Sequence, residues 1–289
     1  MNSCSLCPRK CGINRNKLIG FCGVTNTIKI ARAGLHFWEE PIISGKSGSG
    51  TIFFSGCNLK CVYCQNHEIS HDAYGKEITP NRLAEIFKEL ELKGANNINL
   101  VTPSHYVNGI IEALKIYKPK IPVVYNTSGY DSVETLKKLE GYVNVYLTDL
   151  KYYSSELSKN YSKAENYFEV ATIAIKEMLR QQPKNIIKNG LLKQGVIIRH
   201  MVLPGESGDS VKVLDWIKEN CPKAIISIMG QYTPCYKASQ YPKLNKTITP
   251  LEYKRVISYF NALGLKNGYC QELDSANKDY IPPFNLEGV

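Results

Sequence analysis

At 289 residues and 43% hydrophobic content, the chain is long enough to bury one sizeable core with an appendage, and needs no disulfide-stapled scaffold. Its formal charge of +10 permits an acidic partner such as RNA, but the lysines are scattered among apolar and acidic residues and read as a solvated surface. No window approaches the roughly twenty apolar residues of a membrane span, and the start Met1-Asn2-Ser3-Cys4 lacks a signal-peptide apolar region, so a cytoplasmic protein with no membrane partner is expected.

Residues 1–50 read as a cysteine-rich, metal-binding extension with a short β segment. Cys4, Cys7, Cys11 and Cys22 lie at short spacings among glycines, the donor set of a tetrahedral zinc or of a cubane cluster, and the spacing does not separate zinc from iron–sulfur. Residues 27–33 alternate as a half-exposed strand does. The glycine–serine run at 44–50 lacks phosphate-loop spacing and reads as a linker turn.

A β-type run at 51–56 then delivers the tightest motif in the chain, Cys57-Asn58-Leu59-Lys60-Cys61-Val62-Tyr63-Cys64. Three thiols at C-x3-C-x2-C spacing point at one object and supply no fourth ligand. A structural zinc site is closed by four ligands, whereas an iron–sulfur cubane on three cysteines keeps one iron open. Seven of the ten cysteines fall in the two clusters, which in a non-exported chain reads as metal binding and not as disulfides.

From residue 51 strand-like runs alternate with amphipathic helical windows, the pattern of βα units and a parallel sheet. The strands fall at 51–56, 97–102, 122–126, 143–148, 195–203 and 225–230. Helices follow Thr79-Pro80, Val107, Asp131, residue 165, Asp209 and Thr249-Pro250, each with apolar residues at core spacing. Six units fall short of the eight that close a barrel, so the expected fold is α/β, an open (βα)6 three-quarter TIM-type barrel over 51–263. Residues 264–289 show no period and read as a tail lying over the barrel or fraying from it.

In parallel βα folds the working groups stand where strands end. Those exits offer Thr102, Ser104 and His105 after the second strand, Asn126 after the third, Asp149 and Lys151 after the fourth, His200 on the fifth and Cys235 after the sixth. His105 and His200 are candidate proton donors or acceptors, since imidazole titrates near neutrality, and the Cys235 thiol could donate a hydrogen atom or touch substrate.

The triple-cysteine loop, with aromatic Tyr63 before its last cysteine, resembles the signature of the radical S-adenosylmethionine superfamily. Residues 56–66, Asp149-Leu150-Lys151 and 198–205 are similar to counterparts in activating enzymes of pyruvate formate-lyase. The resemblance implies a 4Fe-4S cluster on Cys57, Cys61 and Cys64 whose open iron is chelated by S-adenosylmethionine, with Tyr63 near the adenine and Asn126, Asp149 and Lys151 in contact with the cofactor. It implies reductive cleavage to a 5′-deoxyadenosyl radical that abstracts hydrogen from a substrate, with a protein glycine one candidate, and a reductant such as flavodoxin or ferredoxin.

The family usually follows its second strand with Gly-Gly-Glu-Pro, which receives the methionine ammonium; here Thr102-Pro103-Ser104-His105 stands instead, leaving Thr102 and Ser104 as candidates for that contact. This departure and the four-cysteine start resemble an uncharacterised subgroup similar to the activating enzyme. The other readings are radical modification of RNA or of a small metabolite, and an iron–sulfur, zinc or electron-transfer protein without S-adenosylmethionine turnover.

Overall fold

The computed structural model describes residues 3–265, 267–271 and 282–289. The chain runs β1 (Ile28–His36), α1 (Pro41–Ser44), β2 (Ser49–Phe54), α2 (His67–Ser70), β3 (Lys76–Ile78), α3 (Pro80–Leu92), β4 (Ile98–Val101), α4 (Val107–Ile116), β5 (Val123–Thr127), α5 (Val133–Lys138) and β6 (Val145–Asp149). It continues with α6 (Ser155–Ser162), α7 (Tyr167–Gln181), β7 (Ile186–Lys188), β8 (Leu191–Met201), α8 (Ser207–Asn220), β9 (Ile225–Met229), α9 (Pro250–Ala262) and β10 (Gly268–Cys270).

Local chemistry sets these boundaries. Thr79 caps α3 by accepting from the Arg82 amide at 3.2 Å, with Pro80 as the first helical residue. Thr249 and Glu252 cap each other's amides at the start of α9. The runs β2, β4, β5, β6 and β9 are buried throughout, because helices cover one face and the interior the other.

The sheet order is β10-β9-β8-β6-β5-β4-β2-β1-β3, with the seven strands from β10 to β2 parallel and β1 and β3 antiparallel at the far edge. Among the described residues the sheet runs as an open path, with β10 and β3 at its ends. All six expected core strands are present, and β10 adds a seventh in the stretch read as an aperiodic tail, three residues being too few to show a period. The segment at 27–33 forms β1, which joins the main sheet through β2. The hairpin of β7 with β8 turns on Asn189-Gly190, both at positive φ (53° and 75°), a turn that the Asn-Gly pair announces.

Side chains alternate along each strand, and the inward faces change character with height. Val124 precedes Asn126 on β5, Leu147 precedes Asp149 on β6, and Ile197 precedes Arg199 and Met201 on β8. Ile43, Val124, Val145, Leu147, Ile197 and Ile225 pack together as an apolar plug, and polar side chains stand above it. Residues 272–281 of the expected tail lie outside the described residues. Residues 282–289 run along β1, where the Ala33 amide donates to Glu287 O at 2.8 Å and Phe284 meets Phe53 edge-on at 5.4 Å.

Candidate functional site

The loop from Cys57 to Cys64 is held from three sides. Gly56 turns the chain at φ +83°, and a Cβ there would lie 2.7 Å from Cys22 O, so only glycine lets the amino-terminal segment approach. That approach lets the Cys57 amide donate to Cys22 O at 3.0 Å. Arg9 donates to Asn58 O at 2.8 Å and also to Lys163 O, while the Lys60 and Val62 amides donate to Ser162 O and Tyr161 O.

Cys57, Cys61 and Cys64 are free thiols. Burial, reinforced by the neighbouring Cys61, pushes Cys57 up to about 12 and Cys64 up to about 11, and burial also raises Cys61. Cys61 Sγ lies 3.0 Å from Ser162 Oγ, which meets Tyr152 OH at 2.7 Å, and Tyr152 in turn bonds the Tyr63 hydroxyl. Among the described residues, no three His, Cys, Asp or Glu side chains are placed close enough to hold a metal ion. The donor set still fits an iron–sulfur cluster, since buried thiols ionise beside a cationic centre and three of them share one short loop.

A cavity of about 280 Å³ opens beside this loop. Cys61, Tyr63 and Cys64 form one side of it, Asn126, Asp149 and Lys151 the strand-end side, and Phe53, Val101, Met201 and Met229 apolar walls. The fourth component is a charged network. Lys151 Nζ donates to Asp149 Oδ2 at 2.6 Å, Arg199 Nε to Asp149 Oδ1 at 2.9 Å, and Arg199 Nη2 to Asn126 Oδ1 at 2.8 Å. Glu39 closes it, accepting from Asn126 Nδ2 at 3.1 Å and from Arg199 Nη1 at 3.4 Å. Burial alone would raise Asp149, but Arg199 and Lys151 outweigh it and hold the carboxyl below its ordinary value. Glu39 and Glu40 go the other way, raised by burial against the pull of Arg199.

Of the residues read from the sequence, the structure thus brings Cys61, Cys64, Tyr63, Asn126, Asp149 and Lys151 to one cavity. His105 and His200 are not there. His105 is buried under the cysteine loop, where its Nε2 donates to Ser55 O at 2.8 Å and burial lowers it to about 3, so it stays neutral. His200 points away from the interior because it alternates with inward Arg199 and Met201; its Nδ1 donates to Leu150 O at 2.7 Å and its Nε2 accepts from Ser210 at 2.9 Å. These partners hold both histidines outside the cavity, away from the place their reading as proton donors or acceptors requires.

Thr102, at φ +59°, donates its amide to Asn126 O, and Ser104 is buried beside Asp131, so neither lines the cavity. Cys235 lies behind the wall, its thiol donating to Tyr63 O at 3.0 Å. Sequence reasoning passed over Glu39 and Arg199. Glu39 reads as part of a loop before Pro41, and its only signal is a pair of carboxylates, Glu39-Glu40, in an otherwise apolar stretch.

In the amino-terminal segment Cys4, Cys7, Cys11 and Cys22 draw together without any helix or strand. A Cβ on Gly20 would lie 3.3 Å from Cys22 Sγ and 3.7 Å from Cys11 Sγ, so a side chain there would crowd both thiols. Burial, with the other three thiols nearby, pushes Cys7 up to about 11.

Residues 51–217 match the family described as the Radical SAM superfamily. An uncharacterized protein of Methanocaldococcus jannaschii is 34% identical over 267 residues, which cover 88% of this chain and 73% of that one. Among solved structures, Streptococcus suis SuiB bound to S-adenosylmethionine aligns over 76% of this chain with a TM-score of 0.54 at 15% identity, and this chain spans about half of it, 49%. A domain of pyruvate-formate lyase-activating enzyme from Bacteroides vulgatus aligns over 67% of this chain and 91% of that domain, with a TM-score of 0.38 at 14% identity.

Proposed function

The chain belongs to the radical SAM superfamily of enzymes, and on that premise we propose that Cys57, Cys61 and Cys64 hold a 4Fe-4S cluster and that the adjoining cavity takes S-adenosylmethionine. The observation that carries this reading is the shared cavity: Cys61 and Cys64 open onto the same space as Tyr63, Asn126, Asp149 and Lys151. When bound and reduced by one electron, the cluster supplies cleavage of the sulfonium and hence hydrogen abstraction from a substrate.

The chain's own residues bind and shield. Lys151, kept charged by Asp149, offers an ammonium to the carboxylate of S-adenosylmethionine; burial works against that charge and the carboxylate overrides it. Asn126 and Asp149 contact the rest of the cofactor, and Tyr63 packs against its adenine, its ring already fixed by Tyr152. Phe53, Val101, Met201 and Met229 keep water from the reacting space.

In this reading residues 51–263 wrap as a partial barrel around the cavity. Residues 1–50 carry a second site on Cys4, Cys7, Cys11 and Cys22 for zinc or iron–sulfur, and a flavodoxin- or ferredoxin-type protein supplies the electron. The test is 5′-deoxyadenosine formation by the anaerobically reconstituted, chemically reduced protein. Formation in the wild type and none in Cys61→Ala is expected; none in a wild type of full iron content overturns the reading.

A further inference from the structure

The segment that covers the cysteine loop carries charge of one sign. Residues 1–38 hold six lysines and arginines and no aspartate or glutamate, and residues 41–67 hold no carboxylate either, whereas over the whole chain 26 acidic residues offset 36 basic ones. The fold lays this segment on the loop: Cys22 O accepts from the Cys57 amide, and Arg9 donates to Asn58 O and to Lys163 O. Its outer face is apolar. Leu18, Ile19 and Phe21 are 56%, 67% and 40% exposed, three large side chains within four residues of irregular chain. The Phe21 ring is exposed and yet fixed, with the Arg9 guanidinium 4.0 Å and the Lys60 ammonium 5.9 Å from its centroid. Lys17, next to Leu18, and Lys163 are exposed beside them. Three carboxylates come near: Glu112 shares a small cavity with Arg15 and Asn16, Asp72 lies by His71 and Lys60, and Glu165 is paired with Lys159.

An apolar patch rimmed by charge of one sign has the anatomy of a docking surface, the apolar centre supplying affinity and the charge steering the encounter. Cations select an acidic partner. Aliphatic Leu18 and Ile19 select a protein over a single-stranded nucleic acid, whose bases stack on aromatic rings. The place of the patch selects its task. Phe21 precedes Cys22, whose carbonyl bonds the Cys57 amide, so a partner seated on Phe21 is one hydrogen bond away from a cysteine of the loop.

We propose that Leu18, Ile19 and Phe21, with Arg9, Lys17 and Lys163 around them, form the docking face for an acidic one-electron carrier protein. This rests on the reading of Cys57, Cys61 and Cys64 as a 4Fe-4S site and adds the surface through which that site is reduced. The reduced carrier gives up one electron and the oxidised cluster takes it up; no bond forms or breaks and no proton moves.

The test is stopped-flow reduction of the cluster-loaded protein by two purified acidic carriers, a reduced flavodoxin and a reduced 2Fe-2S ferredoxin. Wild type is compared with Lys17→Glu/Lys163→Glu on the face and with Lys218→Glu/Lys254→Glu on α8 and α9, two variants of equal net charge. Loss of steering predicts that at low ionic strength the first variant is reduced at least about tenfold more slowly than wild type, that the second stays within about twofold, and that added salt closes the gap. Equal rates in all three proteins, or equal slowing in both variants, overturns the face. A wild-type rate that does not change with salt also overturns it, and that measurement needs no variant to fold. So does a wild type that dithionite reduces and neither carrier does. Bulk transfer RNA that binds wild type more tightly than either carrier, and is lost only in Lys17→Glu/Lys163→Glu, would give the face to a nucleic acid and overturn the proposal. Dithionite bypasses the face, so a wild type that forms no 5′-deoxyadenosine with dithionite overturns the cofactor reading instead, and the two failures are distinct.

Discussion

Asp149 and Glu40 are both carboxylates buried around Arg199, and they titrate in opposite directions because Arg199 and Lys151 together outweigh burial at Asp149, whereas burial outweighs Arg199 at Glu40. Asp149, held low, contributes stability that is present above the ordinary aspartate range and is lost as the pH falls through its folded value. Glu40, held high, does the reverse: the folded state binds its proton more tightly than the unfolded chain does. Its ionisation therefore removes stability as the pH rises from about 4.3, the ordinary glutamate value, through its folded value. Wild type should thus lose stability relative to Glu40→Gln across that window by ~1.4 kcal/mol per unit of displacement. Urea unfolding of both proteins at pH 4.5, 6 and 8 measures it. A constant difference across the three would mean that Glu40 titrates as it does in the unfolded chain.

The same scale explains why His200 and Arg199 exchange roles between sequence and structure. In a half-exposed strand the polar residues mark the solvent face, but β8 is buried on both faces over Val196–Ile198, so its apolar run carries no phase. The contact of His200 with Ser210 on α8 and the bonds of Arg199 to Asp149 and Asn126 reveal which neighbour faces in. Asn126 and Asp149 were legible because each is a polar residue at the end of an apolar run, where either phase brings it near the rim.

At the scale of elements, the amino-terminal segment and the cysteine loop are one mechanical unit. Cys22 O accepts from the Cys57 amide, Arg9 grips Asn58 O, and Leu6 O accepts from Thr135 Oγ1 at 2.6 Å on α5. The two cysteine clusters were visible as spacings, yet nothing in a spacing says that they touch. If the amino-terminal thiols hold metal as proposed, the direct bond between Cys22 O and the Cys57 amide predicts that the two sites do not respond independently. Gly20→Ala places a methyl 3.3 Å from Cys22 Sγ and 3.7 Å from Cys11 Sγ, without a positive φ to strain the backbone. It should lower the metal bound by the amino-terminal thiols several-fold, on the scale of a displaced ligand shell, and speed hydrogen exchange of the Cys57 amide through Cys22. Unchanged metal content, read by elemental analysis alongside Cys7→Ser, would remove the four-cysteine site. Unchanged exchange at Cys57 would leave the site but uncouple it.

At the scale of the whole molecule, the six buried strands and their helices were readable because hydrophobic period and capping agree along most of 51–262. The ends of the sheet were not, since they depend on pairing between distant segments. β10 is three residues long, and residues 286–287 complete the outer edge of β1 from the far end of the chain. That edge matters to the cavity. Phe284 lies against Phe53, one of its walls, and Pro282 lines the cavity itself, so the terminal segment both backs and borders the site. Gly288 makes the docking possible: at φ +73° its Cα approaches β1 so closely that a Cβ would lie 2.1 Å from Ala33 O. Gly288→Ala therefore cannot keep this register. The terminal segment should lift from β1, the Ala33 amide should lose its bond to Glu287 O and exchange at least about tenfold faster, and Phe53 should lose its aromatic neighbour at a cost of about 1 kcal/mol. Hydrogen exchange at Ala33, read beside S-adenosylmethionine affinity, separates the consequences. Faster exchange with weakened binding makes the terminal segment part of the cavity's support; faster exchange with unchanged binding confines its role to capping the sheet; and unchanged exchange would mean that the segment does not dock on β1.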